Sequence, residues 1–160
     1  MTSLRRVHFF DRKSQESVPL RNVLGHFGAT CSTQDGSVWI GTVDGRLCRF
    51  DVAWNLSATL SVQGEVKQMC ASKQILVALL GSDRLVAYHM YRQEVNGGPL
   101  LIGSTRVNGA TCVDVSSDFA WIAIGCASGQ TLIYSGSTFG KPAGKPRILA
   151  PDDPSPVVEI

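Results

Sequence analysis

A chain of 160 residues with 44% hydrophobic and 18% charged residues has room for one domain with a real core, and such a composition excludes disorder as the default state. Its formal net charge of +2, from 15 Lys+Arg against 13 Asp+Glu, supplies no single-sign field of the kind that draws a protein to nucleic acid. The apolar run Ile75–Leu80, which no other exceeds, falls far short of the ~20 residues a membrane helix requires.

The first apolar run, Val7-His8-Phe9-Phe10, follows two arginines and ends at Asp11. It is too short for a secretory signal, so the chain is expected in the cytoplasm, with any membrane association peripheral. Cys31, Cys48, Cys70, Cys112 and Cys126 include no Cys-x-x-Cys pair and are expected to be reduced, buried and small. Asn55-Leu56-Ser57 meets the glycosylation pattern only formally for such a chain.

Short β-rich runs then follow one another: Val38-Trp39-Ile40, Leu47-Cys48-Arg49-Phe50, Ile75–Leu80, Leu85-Val86-Ala87-Tyr88, Trp121-Ile122-Ala123-Ile124 and Thr131-Leu132-Ile133-Tyr134. Each is bounded by Gly, Ser, Asp or Asn, as strands are. Residues 56–62 alternate apolar and hydroxyl side chains, the period of a strand with one face covered. The predicted class is all-β.

The order of the runs repeats. A strand of small residues comes first, at Ala29-Thr30-Cys31, Met69-Cys70-Ala71 and Ala110-Thr111-Cys112-Val113. A polar turn and a strongly apolar strand follow, and that strand ends in a tight turn at Asp44-Gly45, Ser82-Asp83 or Ser128-Gly129, residues that close hairpins through positive φ. A third strand rises from each turn, and a fourth follows a looser loop, at 56–62, 100–102 and 147–149. Cys31, Cys70 and Cys112 stand 39 and 42 residues apart, and Gly41 and Gly125 stand 84 apart.

A repeat of ~40 to 45 residues is that of WD40 propeller blades, and small residues suit an inner strand facing a crowded channel. A β-sandwich also has short, regularly spaced strands, but not this period. The expected fold is therefore a WD40-like β-propeller fragment of about three four-stranded blades, at 28–62, 66–103 and 110–150. Residues 156–160 are expected to begin the next blade, and 7–10 to close the ring as the outer strand of a last one. Gly41, Gly45, Gly125 and Gly129 are expected to turn the chain.

Reactive constellations do not emerge. His8, His26 and His89 lie in separate segments without metal-ligand spacing, although His26, in Gly25-His26-Phe27-Gly28, occupies the place of a WD40 Gly-His pair. Gly140-Lys141-Pro142-Ala143-Gly144-Lys145-Pro146 is one residue short of a phosphate loop, with Pro146 where a magnesium-binding hydroxyl belongs. It reads as a flexible loop. Lys141, Lys145 and Arg147 there are the candidate contacts for an acidic partner or anionic headgroups. Trp39 and Trp121 are expected to pack between blades. No Gly-x-Ser-x-Gly elbow is present. The alternative is an enzyme propeller of lactonase or glycosidase type, for which Asp114 and Glu159 would be the channel carboxylates. With only those two on the inner strands, no cofactor, metal, small-molecule substrate or nucleic acid is expected.

The opening Arg5-Arg6-Val7-His8-Phe9-Phe10-Asp11, the blade Gly36-Ser37-Val38-Trp39-Ile40-Gly41 followed by Asp44-Gly45, the later Ala123-Ile124-Gly125 followed by Ser128-Gly129, and Arg147-Ile148-Leu149 together resemble the N-terminal region of the vacuolar protein sorting subunit eleven family. Members of that family are core subunits of the HOPS and CORVET tethering complexes. The resemblance implies a seven-bladed propeller leading into an α-solenoid and a RING domain, and a non-enzymatic scaffold in vesicle transport and fusion. Its partners would be other tethering-complex subunits, on the cytosolic face of late endosome, lysosome or vacuole membranes. The departure is Gly81-Ser82-Asp83-Arg84, which lacks the second glycine of the turn.

Overall fold

Three residues with positive φ set the plan of the chain: Gly45 at 83°, Asp83 at 57° and Gly129 at 81°. Each closes the hairpin between the second and third strands of a sheet. Aspartate tolerates the left-handed region better than most side chains. The missing glycine at Asp83 therefore leaves the turn intact, and the Asp83 carboxylate accepts a hydrogen bond from Gly109 N at 3.3 Å.

The computed structural model describes residues 8–10, 17–19, 26–93 and 99–149. Strand β1 (His8–Phe10) pairs with β2 (Ser17–Pro19) in a small antiparallel sheet. The first four-stranded sheet holds β3 (Phe27–Ser32), β4 (Val38–Thr42), β5 (Arg46–Phe50) and β6 (Leu56–Ser61). The second holds β7 (Val66–Ala71), β8 (Ile75–Leu80), β9 (Arg84–Gln93) and β10 (Pro99–Arg106). The third holds β11 (Ala110–Val115), β12 (Trp121–Cys126), β13 (Thr131–Ser135) and β14 (Arg147–Leu149). Within each, strands pair antiparallel in chain order. β3 touches β7 and β7 touches β11, so the first strand of each sheet is the inner one and the sheets stand side by side as blades.

His8–Phe10 pairs with β2, and no last blade that residues 7–10 could close is among the described residues. Residues 156–160 lie outside the described residues.

Two apolar clusters hold the blades together. Trp39 and Leu47 of the first blade pack against Leu76, Ala78 and Leu80 of the second. The alternate residues Ile75, Val77 and Leu79 pack against Ile122 and Ile124 of the third. β8 is thus covered on both faces and all six of its residues are buried. Its unbroken apolar run follows from that position, whereas β6, on an outer edge, keeps an alternating pattern.

The register of the inner strands corrects the cysteine repeat. Each carries a bulge, between Phe27 and Ala29, Val66 and Gln68, and Ala110 and Cys112. Counting from it, Cys31 and Cys70 correspond to Asp114, while Cys112 corresponds to Ala29 and Gln68. Gly41 also departs from expectation. It has no positive φ and lies in β4, where an added Cβ would stand 2.3 Å from Val66 Cγ1. Its role is close packing of two blades, and the turning is done by Gly45.

Candidate functional site

Antiparallel blades place the first and third turns of every sheet on one rim, and the second turns and blade linkers on the other. On the first rim a hydroxyl recurs at Thr33, Ser72 and Ser116. The backbone N–H groups of these residues donate to Ser37 O, Ile75 O and Trp121 O at 2.9, 2.9 and 3.0 Å. Ser72 Oγ and Ser116 Oγ accept from Ile75 N and Trp121 N at 3.2 and 2.9 Å. These side chains close their own turns.

Asp35 joins the first two blades at this rim. Its Oδ1 accepts from Ser37 N at 3.0 Å and from the hydroxyls of Thr33 and Ser37 at 2.5 and 2.6 Å. Its Oδ2 accepts from Arg49 at 2.6 Å and from the Tyr91 hydroxyl, on the second blade, at 2.7 Å. The Arg49 guanidinium lies 5.2 Å from the Tyr91 ring centroid, a cation–π distance. Burial acts to raise the Asp35 pKa, but hydrogen bonds from Ser37, Thr33 and Tyr91 outweigh it and hold the carboxyl below its ordinary range.

A depressed carboxylate contributes stability above its unfolded pKa of about 3.9 and loses it as pH falls through the lower folded value. Wild type is therefore expected to lose stability on acidification below about pH 4 more steeply than Asp35→Asn. The exposure of this side chain, 37%, limits the cost of the variant at neutral pH to about 1 kcal/mol. Urea midpoints measured against pH check both points, and parallel profiles would contradict the assignment.

The third blade builds a groove of about 570 Å³ on the same rim. One wall is its first turn, where Phe119 takes a φ of 60°, an uncommon conformation for a bulky side chain. Phe119 packs partly buried against the core, and its carbonyl lies where a Cβ on Gly136 would stand 1.9 Å away. Trp121 follows, 56% exposed. The other wall is formed by Ser135, Gly136, Ser137 and Lys141. Ile102 and Phe139 also line the groove. A second hollow of about 330 Å³ opens on the far side of Phe119, between Lys73 and Asp118.

Trp39 is fully buried between blades. Trp121 lies on the face of β12 turned away from the second blade; its counterpart in the second blade, Ile75, is buried against the third, and no blade on that side of Trp121 is among the described residues. One expectation changes here. The segment carrying Lys141 is no flexible loop. Turns run from Thr138 N to Ser135 O, Lys141 N to Thr138 O and Gly144 N to Lys141 O at 3.1, 3.1 and 2.9 Å. Phe139, 1% exposed, meets the Tyr134 ring edge-on at 5.7 Å. A Cβ on Gly140 would stand 2.6 Å from Gly103 Cα of the second blade.

Of the basic candidates, Lys141 lines the groove and its Nζ donates to Ser137 O at 2.7 Å. Lys145 and Arg147 are exposed beside it but do not line it. His26 contributes its backbone carbonyl to Val43 N at 2.7 Å, and His89 Nδ1 accepts from Tyr91 N and Arg92 N at 3.3 and 3.1 Å. Burial lowers the His89 pKa, and the charge of Arg92 adds to it. Asp114 is exposed and accepts from Val115 N at 2.7 Å; Glu159 and the His8 side chain lie outside the described residues. Among the described residues no group of three His, Cys, Asp or Glu is placed to hold a metal. All five cysteines are free, Cys48, Cys112 and Cys126 buried and Cys31 and Cys70 half-buried. Burial pushes the Cys31 thiol up to about 12 and raises that of Cys70, which suppresses the reactive thiolate.

No family model matches this sequence, and no curated protein does. Solved structures do. A chain of the mitotic checkpoint complex is similar with a TM-score of 0.72 at 16% identity, over 83% of this chain and 41% of that one. The β-propeller domain of Cps50 (Swd1) from Myceliophteria thermophila gives 0.63 at 12% identity, over 79% and 38%. BamB from Moraxella catarrhalis gives 0.63 at 14%, over 83% and 41%. The chain thus folds as consecutive blades of a WD40-type β-propeller and spans about two fifths of each of these neighbours.

Proposed function

We propose that the chain is a non-enzymatic interaction module, the propeller part of a membrane-tethering subunit acting in vesicle transport and fusion. One contrast at the rim carries this reading. Carboxylates and hydroxyls close their own turns: Asp51 accepts from Ala53 N and Asn55 N, both at 2.9 Å, and Asp118 accepts from Ser116 Oγ at 2.7 Å and Ala120 N at 2.9 Å. The groove on the third blade is lined meanwhile by the apolar side chains of Ile102, Phe119 and Phe139. Such a surface recognises a protein by shape and apolar burial and supplies no activated nucleophile or general base.

The resemblance of the opening residues and blade order to vacuolar protein sorting subunit eleven supports the finer assignment: a scaffold of HOPS or CORVET type, peripheral on the cytosolic face of late endosome, lysosome or vacuole membranes. Affinity capture from a cytosolic extract on the immobilised chain, read by mass spectrometry, is expected to enrich other tethering-complex subunits. Capture of a reproducible but unrelated set would overturn the tethering assignment, and capture of no protein would overturn the interaction reading itself.

A further inference from the structure

Strand β9 runs past the end of β8, and its outer end is bulged. His89 pairs with Ile75 of β8 and with Leu100 of β10, but the next pair joins Gln93 to Pro99. Met90, Tyr91 and Arg92 therefore have no counterpart on β10, and their N–H groups need other acceptors. Met90 N donates to Gln74 O at 2.8 Å. Tyr91 N and Arg92 N both donate to one atom, His89 Nδ1, at 3.3 and 3.1 Å. The bulge turns Tyr91 across the blade boundary, where its hydroxyl donates to Asp35 Oδ2 at 2.7 Å and its ring lies 5.2 Å from the Arg49 guanidinium.

One imidazole nitrogen thus fixes the segment that ties the second blade to the first at this rim. It can do so only while it carries no proton, because a protonated Nδ1 is a donor and would face two further donors. The charged groups around it are Arg92 on its own strand and, facing Tyr91 from the first blade, Asp35 and Arg49. Strands β8 and β10 set Ile75 and Leu100 opposite His89, and Lys73, in the turn before β8, acts on Asp118 of the third blade. Burial, and then the charge of Arg92, lower the His89 pKa, so the closed segment resists the proton that an open one takes up at about 6.5. The stability of the closed form is complete above about pH 6.5 and falls as pH drops toward the lower folded value. In that window Asp35, held below its ordinary range, stays ionised, and Tyr91, whose pKa burial raises, keeps its proton.

We infer that residues 89–92 form an acid-responsive clasp between the first two blades, closed while His89 Nδ1 accepts and loosened when that nitrogen is protonated, which frees Tyr91 from Asp35. The clasp operates whatever the rim binds.

The test is nuclear magnetic resonance of the 160-residue chain from about pH 7.5 to about pH 5.5, above the range in which Asp35 titrates. Imidazole nitrogen shifts are expected to show an unprotonated His89 Nδ1 at the upper end. Amide protection of Tyr91 and Arg92, corrected for the intrinsic exchange rate, is expected to fall severalfold on acidification, with about tenfold the limit at about pH 5.5 for an open-state pKa of about 6.5. His89→Asn, whose Oδ1 offers a non-titrating acceptor as many bonds from the backbone, is expected to keep that protection throughout, and His89→Ala to lose it throughout. A proton on Nδ1 at the upper end, equal wild-type protection at both ends, or an equal fall in His89→Asn would overturn the clasp. If neither variant folds, the wild-type shifts and protection decide alone.

Discussion

Trp39→Ala is expected to destabilise the chain by about 3 to 5 kcal/mol, the range for truncating a large buried aromatic. Trp39 has no exposed surface and sits between Leu47 of its own blade and the apolar face of the second, so its removal opens a cavity on the contact that joins two sheets. Its Nε1 is buried without a hydrogen-bond partner, a desolvation cost that wild type already carries. Trp39→Phe, which removes that donor and less volume, is expected to cost clearly less than the alanine variant. Urea unfolding of the two variants measures the difference, and a loss below about 1 kcal/mol for Trp39→Ala, typical of surface changes, would contradict this packing.

Gly28→Ala is expected to be almost as damaging although it adds a single carbon. A Cβ at Gly28 would stand 1.9 Å from the carbonyl oxygen of Val66. The obstacle is backbone at the start of β7, which cannot rotate away as a side chain end can. Relief requires the two inner strands to separate, so the cost is expected at or above the upper end of the usual overpacking range, about 3 kcal/mol. At Gly41 the clash is with the Val66 side chain instead, and Gly41→Ala is expected to cost less. Equal midpoints for Gly28→Ala and wild type in denaturant would show that the inner strands do not meet as described.

The blade plan was legible because hairpin chemistry is local. Asp44-Gly45 and Ser128-Gly129 announce their turns from adjacent residues, and Asp83 does the same work through a side chain that tolerates positive φ. The inner-strand register was not legible. A bulge inserts a residue without any compositional mark, so Cys112 passed for the counterpart of Cys31 and Cys70 although Asp114 holds that place. The recurring hydroxyl at Thr33, Ser72 and Ser116 would have given the true alignment.

The site was less accessible still. Asp35, Arg49 and Tyr91 converge from positions 14 and 56 residues apart, and nothing near any one of them signals the others. The same holds for the fastening of Lys141, which depends on Phe139 burying itself in a core built by the second and third blades. Gly and Pro density alone suggested mobility there.

Hydrogen exchange of the chain with and without a partner recovered by affinity capture tests most directly the claim that this rim is the binding surface. Slowed exchange is predicted in residues 116–121 and 135–141, with the opposite rim at 43–46 and 82–84 unchanged. Protection confined to that opposite rim, with residues 116–121 and 135–141 unaffected, would contradict it.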